Sequence, residues 1–109
     1  MARLFCDGRD VAAVSVADTF VERFRGLLGR DQIDGAMMVT RSSSVHTLGM
    51  RFTIDVAFCD RSGFVIDVIT MKPHRMSTPR RRAYNIVEAS EGCMQKWGIQ
   101  RGSKLEVRP

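Results

Sequence analysis

The side chains with chemical potential in this chain fall into a few short stretches. His46-Thr47 precedes Met50-Arg51-Phe52-Thr53-Ile54-Asp55. A histidine titrates near neutral pH and can act as a general base, or it can hold a loop through one ring nitrogen. Arg51, Thr53 and Asp55 alternate with apolar residues, so on a strand they share the non-core face. Arg51 and Asp55 would then lie about 13 Å apart at about 3.3 Å per residue, too far for an ion pair along one strand. If the second face of the sheet is covered, Asp55 is desolvated and needs hydrogen-bond donors. Glu88 closes an apolar run and can serve as an acid, or as a partner for a cation. Lys72-Pro73-His74-Arg75 opens a basic stretch that continues to Arg80, Arg81 and Arg82 with no acid in it, which suits an anion-binding loop or a solvated surface.

Other chemistry is poorly supplied. Ser42, Ser43 and Ser44 form a loop-like run, and no nucleophile–base–orienter set is legible around them. Cys6, Cys59 and Cys93 are odd in number, far apart and in no CxxC spacing, which points to reduced thiols. Cys93 is the one candidate for reactivity, because it falls in the first turn of a short helix. The two histidines are 28 residues apart and give no zinc spacing, so no metal site and no cofactor is expected. Met37, Met38, Met50, Met71 and Met76 read as core filler and loop anchors. Gly35, Gly49 and Gly63 are single turn glycines, not a phosphate-binding loop.

The elements that must position these residues follow from pattern. Arg3–Cys6 and Val11–Val16 flank an Asp7-Gly8 turn and predict a hairpin. Thr19-x-x-Glu22 is a capping box, followed by Phe20, Phe24, Leu27 and Leu28 on one face and Gly29 as a stop, which predicts a helix over about 20–28. Ala36–Val39 is a buried strand. Residues 50–59 alternate strictly and predict a half-buried strand with one core face. A turn at 60–63 leads into a partner strand, with Phe58 opposite Ile66 and Val56 opposite Val68. Residues 72–82 read as a long loop and 83–89 as a strand. Ser90 caps a helical turn over about 91–97 that stops at Gly98, and 104–107 is a last strand. The fold class is α+β, predominantly antiparallel β, as a compact twisted sheet or small barrel.

With the motifs placed, the sequence resembles the DUF192 family. Thr19-x-x-Glu22-Arg23-x-x-Gly26-Leu27-Leu28-x-Arg30 resembles its opening helix. His46-Thr47-x-x-Met50-Arg51-Phe52-x-Ile54-Asp55-Val56-x-Phe58-x-Asp60 resembles its central motif. Gly63, Lys72-Pro73, residues 83–88, Gly92 and Ile99-x-x-Gly102 fit its later blocks, so the resemblance spans about 17–107. It implies a small, mainly β domain and supplies no activity or catalytic residue. Thr53 stands where relatives have Pro, and Gly49 where a hydrophobic residue is frequent, which implies a differently sized pocket at that end. Many relatives look exported; this N-terminus shows no apolar signal region, so a cytoplasmic home is the expectation.

Composition sets the outer limits. At 109 residues with 44% hydrophobic content, one domain over 1–109 is expected and wholesale disorder is excluded. No apolar run reaches the roughly 18–20 residues of a membrane helix, so no membrane partner is expected. Of the +5 net charge, residues 1–60 contribute −1 and residues 61–109 contribute +6. Three functional readings follow. One is a non-enzymatic domain binding a small molecule or protein near His46, Thr47, Arg51 and Lys72. Another is a nucleic-acid or phosphate-surface binder through 72–82, although no RNA-recognition or helix-turn-helix signature accompanies the charge. The third is an enzyme pairing His46 with Asp55 or Glu88.

Overall fold

The computed structural model describes residues 2–25, 27 and 29–109. Seven strands form one sheet: β1 (Arg3–Cys6), β2 (Arg9–Ala17), β3 (Ala36–Val39), β4 (Ile54–Cys59), β5 (Val65–Met71), β6 (Asn85–Ser90) and β7 (Leu105–Arg108). Two short helices accompany them, α1 (Phe20–Arg25) and α2 (Cys93–Lys96). The strand order is β5-β4-β6-β3-β2-β1-β7. All pairings are antiparallel except β2 with β3. That exception follows from the connection: the segment carrying α1 brings the chain back to start β3 in the same direction as β2.

The sheet is not a closed barrel. Its two edge strands approach only at one corner, through an isolated bridge between Phe64 and Lys104 and bonds such as Val65 N–H to Ser103 C=O at 2.8 Å. The hairpin β1–β2 turns at Asp7 (φ 51°) and Gly8 (φ 83°). Positive φ at both central residues matches the right-handed twist of the flanking strands.

The first helix follows two strands instead of opening the fold, and it is shorter than the 20–28 expected from the apolar spacing. Leu27 is already in a turn and is buried in the core. Within the 20–28 span, Gly26 and Leu28 lie outside the described residues. The capping box forms: Glu22 N–H donates to Thr19 Oγ1 at 3.1 Å, and Thr19 N–H donates to Glu22 Oε1 at 3.0 Å. These bonds favour the charged carboxylate and hold Glu22 below its ordinary pKa.

Strand β4 departs from expectation in two ways. It begins at Ile54, because Thr47 C=O accepts from Met50 N–H at 3.1 Å and Gly49 takes φ 79°, so the chain turns through 47–50. Met50 and Phe52 still face the core, so the alternation that looked like a strand comes from a core-lining loop. All six residues of β4 are buried, on both faces. Ile54, Val56 and Phe58 enter one apolar cluster with Leu27, Ile33 and Met50. Ala57 and Cys59 enter another with Leu4, Met94 and Ile99. The β4–β5 register also shifts. A bulge at Phe58/Cys59 puts Phe58 opposite Asp67 and Val56 opposite Ile69.

The second helix is not capped by Ser90, whose hydroxyl donates to Ile33 C=O at 3.1 Å. Gly92 is the N-cap residue and offers no side chain. Asp55 supplies the cap from across the sheet: its Oδ2 accepts from Gly92 N–H at 2.9 Å and Met94 N–H at 3.2 Å. Its Oδ1 accepts from the Thr70 hydroxyl at 2.8 Å. At the other end Gly98 adopts φ 72° and Ile99 N–H returns to Met94 C=O at 2.8 Å, as the sequence signal implied.

Asp55→Ala is expected to cost about 2 kcal/mol, because it leaves the buried Met94 N–H without an acceptor and removes the cap at Gly92. Asp55→Asn keeps one oxygen for the two amides and can donate to Thr70, so it is expected to cost less than half as much. Urea midpoints at constant m-value test this; equal losses for the two variants would remove the capping role.

Candidate functional site

The structure separates the residues that the sequence grouped. Thr47 is fully buried. Its hydroxyl donates to Lys72 C=O at 2.6 Å and accepts from Arg75 N–H at 2.8 Å. Its own N–H donates to Arg75 C=O at 2.7 Å, and its C=O accepts from His74 N–H at 2.8 Å. Thr47 thus clamps the start of the basic loop, and its hydroxyl is buried away from any ligand. His46 is exposed and faces Met76 across an isolated bridge. Met76 is 74% exposed, which corrects its reading as core filler. Arg51 is exposed and pairs with Asp31 at 3.0 Å. Lys72 and Arg75 are exposed, and the Arg75 guanidinium donates to Pro73 C=O at 3.4 Å.

Asp55 and Glu88 lie on opposite faces of the sheet. Asp55 points with Ala57 and Cys59 towards α2. Glu88 is paired in register with Val56 on one side and Met37 on the other, both members of the other cluster. Burial on that apolar face pushes the Glu88 carboxyl up to about 7. Among the described residues, His46 makes no hydrogen bond to either carboxylate. Two of the thiols are unsuited to chemistry: Cys6 and Cys59 are buried, and burial pushes Cys59 up to about 12, whereas Cys93 is half-buried.

One recess, of about 610 Å³, lies beside α2, lined by Asp55, Thr70, Gly92, Gln95 and Gln100 among others. Its buried carboxyl, Asp55, already accepts three hydrogen bonds from the fold.

The basic loop forms a different kind of surface. Ala83 N–H donates to Arg80 C=O at 2.9 Å, closing a tight turn with Arg81 and Arg82 at its centre. The turn is pinned on both sides. Arg80 N–H donates to Ser43 C=O at 2.8 Å, and Tyr84 N–H donates to Cys59 C=O at 2.7 Å. The Arg80 side chain is committed to structure. It lies 4.6 Å over the Phe58 ring, pairs with Asp67 at 3.0 Å and donates to Thr78 C=O at 2.7 Å. Arg81 and Arg82 are exposed and, among the described residues, pair with no carboxylate.

Two recesses flank this turn. One, of about 510 Å³, is lined by Asp60, Arg61, Ser62, Arg81, Arg82, Ala83 and Tyr84. Arg61 stacks over the Tyr84 ring at 4.2 Å. The other, of about 360 Å³, adds Arg80 and Arg101. Together they hold five guanidiniums and two carboxylates, Asp60 and Asp67. Asp60 Oδ1 accepts from the amides of Ser62 and Phe64 at 2.9 and 3.0 Å. Asp67 is shared between Arg80 and Arg101, the latter at 3.7 Å.

Sequence reasoning missed Arg61 and Arg101. Each is an arginine in a turn read correctly from its glycine, Gly63 or Gly102, but nothing in the sequence says that those turns meet the 80–83 turn. The bridge between Phe64 and Lys104 brings the first two together.

Comparison with known proteins places this geometry in a family. The DUF192 profile, described as "Uncharacterized ACR", matches residues 3–107. The chain belongs to the DUF192 family. It is 38% identical over 98 residues to a UPF0127 protein of Pyrococcus furiosus, covering 85% of this chain and 84% of that one. It is 33% identical over 102 residues to a UPF0127 protein of Thermococcus kodakarensis, covering 88% of this chain and 65% of that one. A protein of unknown function from Novosphingobium aromaticivorans shares the fold at TM-score 0.80 and 16% identity, over 96% of this chain and 82% of that one. A Sinorhizobium meliloti protein described as a "putative transcription regulator" superposes at TM-score 0.83 and 23% identity, over 97% of this chain and 91% of that one. This DUF192 domain has no helix among its described residues long and apolar enough to cross a membrane.

Glu88 gives this domain a pH dependence of known sign. Between the ordinary value of 4.5 and the folded value of about 7, the unfolded chain has lost the proton that the folded chain retains. Stability attributable to Glu88 therefore falls as pH rises through that window and levels off above it. The swing is on the order of 3 kcal/mol. Glu88→Gln is expected to flatten it and to be more stable than the parent at pH 8. Urea melts of both proteins at pH 5 and 8 check this; an unchanged pH slope in the variant would contradict it.

Proposed function

We propose that this domain is a non-enzymatic binding module for an anionic ligand or partner, using the arginine surface around the 80–83 turn. The observation that carries the reading is the convergence of three turns at Arg61, Arg81, Arg82 and Arg101, where the lining guanidiniums outnumber the lining carboxylates, Asp60 and Asp67. The pinned turn fixes the backbone that presents Arg81 and Arg82, and guanidiniums suit oxyanions that accept two parallel hydrogen bonds. A site at His46, Thr47, Arg51 and Lys72 is less well supported, because Thr47 is consumed by the loop and Arg51 by Asp31. Catalysis by His46 with Asp55 or Glu88 lacks support for a geometric reason: the two carboxyls face opposite sides of the sheet. Nucleic acid is one anionic partner in scope, and the Sinorhizobium neighbour described as a "putative transcription regulator" adds modest weight to it. Cys6, Cys59 and Cys93 as free thiols fit a reducing compartment, so we place the protein in the cytoplasm.

Retention on a heparin column is the direct test. Arg81→Ala/Arg82→Ala is expected to elute at clearly lower salt than the parent, whereas Lys72→Ala/Arg75→Ala should shift elution little. If both double variants shift equally, the binding is diffuse charge and the localised site is lost. No retention of the parent at low salt would overturn the anion reading altogether.

A further inference from the structure

The two arginine recesses are neighbours by construction. Arg81 and Arg82 occupy the centre of one tight turn, and both line both recesses. Arg61 adds a cation to the first recess alone, and Arg101 adds one to the second alone. Resting on the anion-binding reading above, we infer that the surface holds two adjoining anion subsites and that its ligand is a chain of linked phosphates spanning both.

The physical argument has three steps. Each recess contains cations of its own plus the shared pair, so one compact anion engages only part of the charge. Two separate anions in recesses that share arginines repel one another across a short distance. A ligand that carries linked phosphates avoids that arrangement, because its charges are already held together and its second contact is intramolecular. The turn is fixed at Arg80 by Ser43 and Asp67 and at Tyr84 by Cys59, so the two subsites keep their relative position. The Arg61 guanidinium lies over the Tyr84 ring. Stacking leaves the edge of the guanidinium, where its N–H donors lie, open to a phosphate.

Free oligophosphates and the backbone of a single-stranded nucleic acid share this chemistry. Calorimetric titration of the full chain with inorganic phosphate, tripolyphosphate and a short oligothymidylate separates them. Tripolyphosphate is expected to bind about tenfold or more tightly than phosphate. Arg61→Ala and Arg101→Ala, both exposed and each confined to one recess, are expected to bring tripolyphosphate affinity down towards that of phosphate while changing phosphate binding about twofold or less. Oligothymidylate that competes with tripolyphosphate supports the proposal with a phosphodiester backbone as the source. Tripolyphosphate binding without oligothymidylate binding supports it with a free oligophosphate as the source. Equal affinities for phosphate and tripolyphosphate overturn the two-subsite proposal and leave anion binding standing. Absence of binding by all three probes overturns both.

Discussion

The fold turns on one constraint: β4 is apolar on both faces and must be covered on both. Its even positions bury Ile54, Val56 and Phe58 on one side, and its odd positions bury Ala57 and Cys59 on the other. A strand like this cannot lie in a sheet with a wet face. One cover comes from α2, Ile99 and the β1–β7 ribbon, the other from Leu27, Ile33 and the 45–52 loop. Asp55 is the polar exception on the first face, and its three hydrogen bonds turn that exception into a tether for α2. A four-residue helix is far below the length at which helices persist alone, so this tether and the burial of Met94 account for its presence.

Covering β4 also fixes where the charge can go. The chain must leave β5 at Met71, cross the end of the sheet and return as β6 beside β4. That crossing is the basic stretch. Thr47 secures its first half through hydrogen bonds to Lys72, His74 and Arg75, and Arg80 its second half through Asp67 and Phe58. The loop is long, yet it is held at both ends. Its cations divide accordingly: Lys72 and Arg75 beside the Thr47 clamp, Arg81 and Arg82 at the far turn beside Arg61 and Arg101.

Much of this was legible in the residues. The Asp7-Gly8 hairpin, the Thr19/Glu22 capping box, β3 and the Gly98 stop all rest on local chemistry, and local chemistry survives in the fold. The misses share a different cause. Residues 50–53 alternate like a strand but line the core from a loop, because periodicity reports which side chains are buried and not what the backbone does. Ser90 looks like a cap, yet a residue 37 positions away in sequence from Gly92 provides it. The parallel pairing of β2 with β3 and the meeting of the Arg61 and Arg101 turns depend on strand order, which no single segment encodes. For the candidate site, the sequence located the charged loop but not the two partners that convert a basic stretch into recesses.

The sheet itself argues against reading the buried carboxyls as a catalytic pair. Acid–base catalysis needs two titrating groups within reach of one substrate, with environments that push their pKa values apart. Asp55 and Glu88 are both about 5% exposed, and their environments do differ. Asp55 accepts from a hydroxyl and two amides. Glu88 sits against Val56 and Met37, and burial lifts it to about 7. Whatever each could do alone, the layer of backbone that separates the two clusters also separates the two groups. Val56 makes the geometry explicit: it is the chain neighbour of Asp55 and the register partner of Glu88, so the pleat that buries Val56 beside Glu88 turns Asp55 the other way. No substrate can touch both without breaking the strand that the rest of the domain is built to cover.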